Sequence, residues 1–239
     1  MIFVLSILLS CSATFSELQP PSEGAEYLLL IAHGSGDTID DWPADLAAAV
    51  EANLVEPARW DIWRYDWSKD AENKLTASGS GIEHGRYIAD HLNEQAYTHY
   101  HLIGHSAGAF VVHTLEQELA AATIHSTYLD PFCGAGVFDW EYGHRNFGAE
   151  AHFAEAYINM DDGVPSTDEP LDQAFVFDVT AHAPVSLEGS ERHWWPIDFY
   201  LQSIEREESW GFSSTVEAGH PPHDEQPAAY PKGEQLILE

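Results

Sequence analysis

The amino-acid sequence predicts an α/β fold in which helices flank a mostly parallel central sheet. Apolar runs of strand length alternate along the chain with segments of helical periodicity, which is typical of parallel sheets. One predicted strand leads through a glycine-bracketed turn into a predicted helix. The chain has 239 residues, of which 44% are hydrophobic, so it can bury the core of one domain and is not globally disordered.

The predicted strands are short apolar runs between turn-forming residues. The first, Tyr27 to Ala32, is almost wholly apolar, as expected of a strand buried on both faces, and it runs into a glycine-rich turn at 33–36. The strands are predicted at 27–32, 60–65, 100–103, 124–129, 156–160 and 174–179.

The predicted helices lie between these strands. Val111, Leu115 and Leu119 recur at the spacing of one helical face. A loop is predicted at 76–81, where the sequence is TASGSG, and a polar, proline-containing tail begins at Ser209. The helices are predicted at 45–54, 82–95, 107–121 and 193–206.

The N-terminus resembles an export signal. Residues 1–9 are apolar but too few to span a bilayer, and the run ends in a segment similar to the bacterial lipobox, in which Cys11 is lipidated. The first basic residue is Arg59. We therefore expect an exported protein, either a lipoprotein tethered to the cell envelope through Cys11 or a secreted or periplasmic one. Residues 12–26 are predicted as a tether, and 27–239 as a single domain.

The charge balance excludes one class of partner. The chain has 40 acidic and 9 basic residues, and its formal net charge is −31. Because phosphate backbones would be repelled, nucleic acid is not an expected partner, and the surface is predicted to be strongly hydrated. The only cysteine besides Cys11 is Cys133, so no disulfide framework is predicted.

The segment 104–108 matches the pattern G-x-S-x-G, with Ser106 at its centre. A strand is predicted before it and a helix after it, which is the context of the nucleophile elbow in the α/β-hydrolase fold. The turn is so tight that positions two before and two after the serine must lack bulk, and Gly104 and Gly108 meet this need. Ser106 is therefore predicted to be a catalytic nucleophile.

The catalytic acid has three candidates. In this fold the acid and the base follow the serine in the order Ser, Asp or Glu, His. Asp130 follows the next predicted strand and lies 24 residues after Ser106, in an Asp-Pro turn. Asp161 and Asp162 follow the strand beyond, where most α/β-hydrolases place the acid. Asp130 is favoured on spacing, and the other two remain open.

The catalytic base has two candidates, and a family resemblance favours one. His182 lies just past a predicted strand, and His193 opens the segment HWWPIDFYLQSI. That segment, the Leu-Asp-Pro around Asp130 and the pair His33-Gly34 together resemble the pancreatic and lipoprotein lipase group. The resemblance implies Asp130 as acid, His193 as base, and an oxyanion loop at His33-Gly34. The chain departs from that group at Ser35, lacks its disulfides, and has only 33 residues after Arg206, too few for its lipid-binding β-sandwich.

The oxyanion hole is predicted to use two backbone N–H groups. One belongs to Ala107 and the other to the loop after the first strand, where Ser35 is favoured over Gly36. No metal or organic cofactor is predicted. The segment 220–225 (HPPHDE) is interpreted as a solvated tail, and His99 and His101 share a strand face without an evident third metal ligand.

The predicted function is ester hydrolysis by a Ser-His-Asp triad, on a small-molecule ester or lipid. The alternatives are an exported binding protein that keeps the fold without chemistry, and an acyltransferase or peptidase that uses the same triad. The segment 131–155 carries acidic residues among its aromatic ones, which makes it poorly suited to docking on lipid. We therefore expect soluble esters with short to medium acyl chains as substrates.

Overall fold

A computed structural model describes residues 13–120, 122–136, 138–206, 210–220 and 231–238. The predicted export signal with Cys11 lies outside the described residues, as do His223, Asp224 and Glu225 of the tail. None of the helices in the described ranges is long and apolar enough to cross a membrane.

The centre of the protein is a seven-stranded sheet in which every strand pairing is parallel. The strand order is β2-β1-β3-β4-β5-β6-β7. This order, with a serine turn after β3, is the arrangement of the α/β-hydrolase fold, so the predicted fold class is confirmed. The strands are β1 (Tyr27–Ala32), β2 (Trp60–Tyr65), β3 (His99–His105), β4 (Thr123–Leu129), β5 (Phe153–Ile158), β6 (Phe175–Asp178) and β7 (Gln235–Ile237).

Helices cover both faces of the sheet. Leu28 and Leu30 of β1 point into one apolar cluster, while Leu29 and Ile31 point into the other, because successive side chains of a strand face opposite sides. The helices are α1 (Trp42–Asn53), α2 (Ser68–Ala71), α3 (Ala77–Leu92), α4 (Ala109–Glu118), α5 (Tyr142–Asn146) and α6 (Trp195–Ser203). Helices α3 and α4 cover the first face, and α1 and α6 cover the second.

The predicted loop at 76–81 is wrong, because α3 already begins at Ala77. Its glycines serve helix packing rather than a turn. A Cβ at Gly85 would lie 2.6 Å from the Cβ of Thr114, and a Cβ at Gly81 would lie 2.9 Å from that of Phe110. The glycines thus let α3 lie directly against α4.

The predicted polar tail also contains a strand that the sequence did not indicate. The three-residue β7 (Gln235–Ile237) adds to the edge of the sheet in parallel with β6. The six predicted strands are all present, with ends shifted by at most three residues.

Candidate active site

The strand order creates a crevice at the carboxyl ends of β1 and β3. The chain passes from β1 to β2 at the edge of the sheet and then returns to β3 on the other side of β1. At such a reversal, the loops after the two neighbouring strands diverge to opposite faces, which leaves a space in which open α/β sheets bind ligands. Ser35 follows β1 and Ser106 follows β3, so both residues lie at this crevice.

Ser106 occupies a strained turn between β3 and α4. Its φ of 51° lies in the left-handed region, which residues other than glycine rarely adopt. A Cβ at Gly108 would lie 2.2 Å from the carbonyl oxygen of Ala32, and one at Gly104 would lie 2.8 Å from Val112. The turn is therefore as tight as the G-x-S-x-G spacing predicts.

A cavity of about 400 Å³ opens beside Ser106. Ser35, Ala107 and His193 also line it, so the residues predicted for the oxyanion hole and the favoured base share one space with the serine. The remaining walls are mainly apolar and include Leu75, Phe132, Trp140, Val164, Pro165 and Trp194.

His193 reaches the cavity from the turn that precedes α6, and two carboxyl groups hold its imidazole. Nδ1 lies 2.9 Å from Oδ2 of Asp130 and 2.8 Å from Oδ2 of Asp162. Nε2 is buried and has no hydrogen-bond partner among the residues that the structure describes. An imidazole that donates its Nδ1–H to a carboxylate keeps a lone pair on Nε2, which can then accept a proton.

Asp130 and Asp162 meet because they follow the neighbouring strands β4 and β5. Both side chains are fully shielded from solvent, and their carboxyl groups hydrogen-bond to each other. The backbone N–H of Asn159 donates to Oδ1 of Asp130 at 2.8 Å, and that of Val164 donates to Oδ1 of Asp162 at 2.9 Å. Two of the three candidate acids therefore contact the same nitrogen of His193.

The three groups titrate as a unit. Burial raises the pKa of Asp130 well above its ordinary value, and the neighbouring Asp162 adds to this effect. Burial acts in the same direction on Asp162, but hydrogen bonds with His193 and Asp130 outweigh it and lower the pKa of Asp162. The two touching carboxyl groups therefore do not ionise equally readily: Asp130 holds its proton more strongly, and negative charge resides more readily on Asp162.

This negative charge stabilises the protonated imidazole of His193. Burial lowers the pKa of His193, but its contacts with Asp130 and Asp162 raise it more, to about 9. The neutral form that can accept a proton therefore gains population as pH rises through the alkaline range.

A second histidine, His105, packs against His193 and was not among the residues predicted from the sequence. His105 precedes Ser106, and its ring packs on that of His193 with 4.7 Å between centroids. Its Nε2 lies 3.1 Å from the backbone oxygen of His193, and its Nδ1 lies 3.3 Å from Oδ2 of Asp37. Only their positions in the sequence could have indicated these two residues: Asp37 lies in the loop after β1, and His105 is adjacent to Ser106.

Asp37 contacts three side chains, two of which, His105 and Trp194, line the cavity. The indole N–H groups of Trp42 and Trp194 donate to it at 3.3 and 3.2 Å. Burial raises its pKa, but the hydrogen bonds from His105 and the two indoles outweigh burial and hold the pKa at about 2. Asp37 is therefore ionised, and it ties the loop after β1 to the residues beside His193.

The other two candidates lie away from the cavity. The side chain of Asp161 is 65% exposed and pairs with Arg192 at 3.3 Å. His182 is exposed, and its Nε2 lies 3.0 Å from the backbone oxygen of Leu238. Neither residue contacts His193 or the wall of the cavity in the part of the chain that the structure describes.

His101 belongs to a buried polar cluster that does not include His99. His125 and Glu155 on the next two strands lie close to His101, with one nitrogen or oxygen atom of each residue within 4.8 Å of the others. The hydroxyl of Thr127 occupies the middle of this buried group, 2.8 Å from Nε2 of His101 and 2.9 Å from Oε1 of Glu155. Hydrogen bonding through that hydroxyl accounts for the cluster without an ion.

No protein-family model and no curated protein sequence matches this chain. Solved structures that it resembles include an esterase from Pyrococcus furiosus, with 12% identity, a TM-score of 0.47, and coverage of 78% of this chain and 84% of that chain. A monoacylglycerol lipase from Paleococcus ferrophilus has 11% identity, a TM-score of 0.46, and coverage of 81% and 99%. An extracellular α/β-hydrolase from Paenibacillus has 17% identity and a TM-score of 0.34, and the match covers 46% of this chain and 42% of that chain.

Proposed function

We propose that this protein is a serine hydrolase that cleaves carboxylic esters. One observation carries the proposal: a serine in a strained turn shares a cavity with an imidazole whose Nδ1 is held by buried carboxyl groups. Strain at a non-glycine residue persists only where the surrounding structure enforces it, and it concentrates at functional sites. An exported binding protein without chemistry would need neither the strain nor the paired carboxyl groups.

In the proposed mechanism, Ser106 Oγ attacks the acyl carbon of the ester while Nε2 of His193 takes the hydroxyl proton. The negative charge of the Asp130–Asp162 pair stabilises the imidazolium that forms. His193 then returns the proton to the departing alkoxide, which leaves as an alcohol. A water molecule attacks the acyl-enzyme by the same route, so that the acid is released and Ser106 regains its proton.

The oxyanion of each tetrahedral intermediate would be held by backbone N–H groups. We assign these to Ala107, at the start of the helical turn after the serine, and to Ser35 in the loop after β1. Both residues line the cavity beside Ser106. Donors that are fixed before the reaction need no reorganisation as charge develops, which makes them effective at stabilising the transition state.

The size and walls of the cavity support a small ester with an apolar acyl group as the substrate. Its volume of about 400 Å³ lies toward the lower end of the range of roughly 300–1,000 Å³ for small-molecule sites. Leu75, Trp140 and Trp194 line it and are also partly exposed at its mouth, and Phe138 nearby in sequence is 99% exposed. We therefore propose short to medium acyl esters as substrates. Asp130, one of the two aspartates that contact His193, follows β4, and this position supports the resemblance to the pancreatic and lipoprotein lipase group as part of the proposal.

We further propose that the chain is exported and cleaved before Cys11, with lipidation of that cysteine as the membrane tether. The apolar run at 1–9 supports this proposal. Intact-mass measurement of the protein extracted from bacterial membranes tests it, and a mature chain that retains Met1 would contradict it.

Substitution of the nucleophile tests the catalytic proposal. Ser106→Ala should abolish hydrolysis of p-nitrophenyl butyrate, with a loss of about 10⁴-fold or more, while circular dichroism shows an unchanged fold. Ser190→Ala is the matched control, because Ser190 lines the same cavity but does not follow β3. Equal turnover by the wild type and Ser106→Ala would refute the proposal.

A further inference from the structure

Three metal-ligating side chains meet outside the cavity, between the loops that follow β4 and β5. Glu141 directly precedes the short helix α5, His144 lies within that helix, and Glu169 lies in the loop before β6. One potential ligand atom from each residue lies within 4.8 Å of the others. Neither the proposed mechanism nor the sequence analysis uses this group, which is called the inter-loop cluster below.

His144 is the unusual member of the inter-loop cluster. The residue is only 5% exposed, and its Nδ1 is buried without a hydrogen-bond partner. Within the described residues, neither ring nitrogen forms a hydrogen bond or an ion pair. Buried polar groups in folded proteins almost always have such partners, so an imidazole in this position points to a ligand that completes it.

The two carboxylates of the inter-loop cluster also have no positively charged side chain as a partner among the described residues. Glu141 and Glu169 are exposed and form no ion pair with the residues that the structure describes. Arg145 lies one residue beyond His144, but it binds both carboxylate oxygens of Asp139, at 2.8 and 2.7 Å. In a chain with a net charge of −31, a mobile cation is the natural counter-charge for the two glutamates.

We propose that Glu141, His144 and Glu169 bind a divalent cation of the zinc class. An imidazole nitrogen with two carboxylate oxygens is a donor set that zinc accepts, whereas calcium and magnesium prefer oxygen ligands alone. Around tetrahedral zinc, ligand atoms at about 2.0–2.2 Å from the metal are about 3.3–3.6 Å apart. Rotation of the two exposed glutamate side chains would bring their carboxylates to that spacing, and water would complete the coordination.

The bound cation would join the two loops that form the cavity wall. The loop after β4 carries Phe132 and Trp140, and the loop after β5 carries Val164 and Pro165. A cation held by His144 of the first loop and Glu169 of the second would restrict their relative movement. Binding itself does not depend on the proposed ester hydrolysis, so the two proposals can fail separately.

The test measures zinc binding by the full chain, using isothermal titration with ZnCl₂ and melting temperature as readouts. The double substitution His220→Ala/His223→Ala serves as the background, because the tail histidines could also bind zinc. His144→Ala and Glu141→Gln/Glu169→Gln should each weaken binding at this site by at least about 100-fold, since each removes direct ligands. The matched control is Glu51→Gln/Glu94→Gln, which also removes two exposed glutamates. Glu51 lies on α1, and Glu94 follows α3.

Zinc at about 100 times its Kd should raise the melting temperature of the background protein by about 5–10 °C, and the rise should be absent from both cluster variants. His193→Ala should retain the rise, which separates this cluster from the catalytic groups. Glu141→Gln/Glu169→Gln keeps the test valid if His144→Ala does not fold. Unchanged zinc binding in that variant would overturn the proposal, as would the absence of zinc binding in the background protein or a response to CaCl₂ alone.

Discussion

The two buried aspartates should act as one catalytic acid, which double-mutant analysis can test. Asp130 and Asp162 lie 2.9 and 2.8 Å from the same nitrogen of His193, and both are fully shielded from solvent. Either one alone can therefore accept the Nδ1–H of His193 and supply one negative charge. We expect Asp130→Asn and Asp162→Asn each to lower kcat/KM by about 10-fold or less.

The double variant Asp130→Asn/Asp162→Asn should lower kcat/KM by about 10⁴-fold, because a catalytic imidazole that has lost its carboxylate partner loses activity to about this extent. Independent effects would multiply to only about 10²-fold, so the difference corresponds to a coupling free energy of roughly 3 kcal/mol. The assay is hydrolysis of p-nitrophenyl butyrate, with Asp161→Asn as the control because Asp161 pairs with Arg192 on the surface.

The pH dependence adds an independent readout of the same pair. Because the pKa of His193 is raised to about 9, kcat/KM of the wild type should rise with pH to a midpoint near 9 as the imidazolium loses its proton. The double variant lacks the negative charge that stabilises the imidazolium, so its midpoint should fall to about 6.5 or below. A loss of about 10⁴-fold in one single variant, with near-normal activity in the other, would refute the shared role.

The serine turn, the carboxylate of Asp37 and the apolar wall of the cavity can each be tested separately. Gly108→Ala should lower the free energy of unfolding by about 3 kcal/mol in urea titrations, because its Cβ would lie 2.2 Å from the carbonyl oxygen of Ala32; a loss below about 1 kcal/mol would contradict the tight turn. Asp37→Asn should lower the free energy of unfolding by about 2 kcal/mol at pH 7, since the folded state holds the Asp37 pKa at about 2. That difference should be complete above about pH 5 and be lost as pH falls through about 2; a difference independent of pH would refute it. Rates on short-chain esters should not jump when the substrate exceeds its solubility, whereas a steep rise on emulsified triglyceride would show that the exposed apolar residues at the mouth dock on lipid.

The sequence predicted the sheet and the serine turn because both depend on local patterns. A buried parallel strand is an apolar run, and the elbow needs small residues at fixed spacing around Ser106. The three-residue strand β7 has no such pattern, and its pairing with β6 depends on the rest of the fold. The start of α3 was missed because glycines that permit close packing on α4 look like loop residues in the sequence.

Spacing in the sequence could not decide which aspartate is the catalytic acid. In the sequence, Asp130 and Asp162 are alternatives because they follow different strands, but β4 and β5 are neighbours whose carboxyl ends bring both side chains to His193. The contact of His105 with Asp37 joins residues 68 positions apart, so only the folded sheet reveals it.

Labelling with a fluorophosphonate probe tests the central claim most directly. Such probes react with a serine only when its hydroxyl is activated, and peptide mapping by mass spectrometry identifies the residue that carries the adduct. We predict one adduct, on Ser106, which forms faster as pH rises toward 9 and is absent from Ser106→Ala and His193→Ala. A folded wild-type protein that stays unlabelled, or that carries the adduct on another serine, would contradict the assignment of Ser106 as the nucleophile.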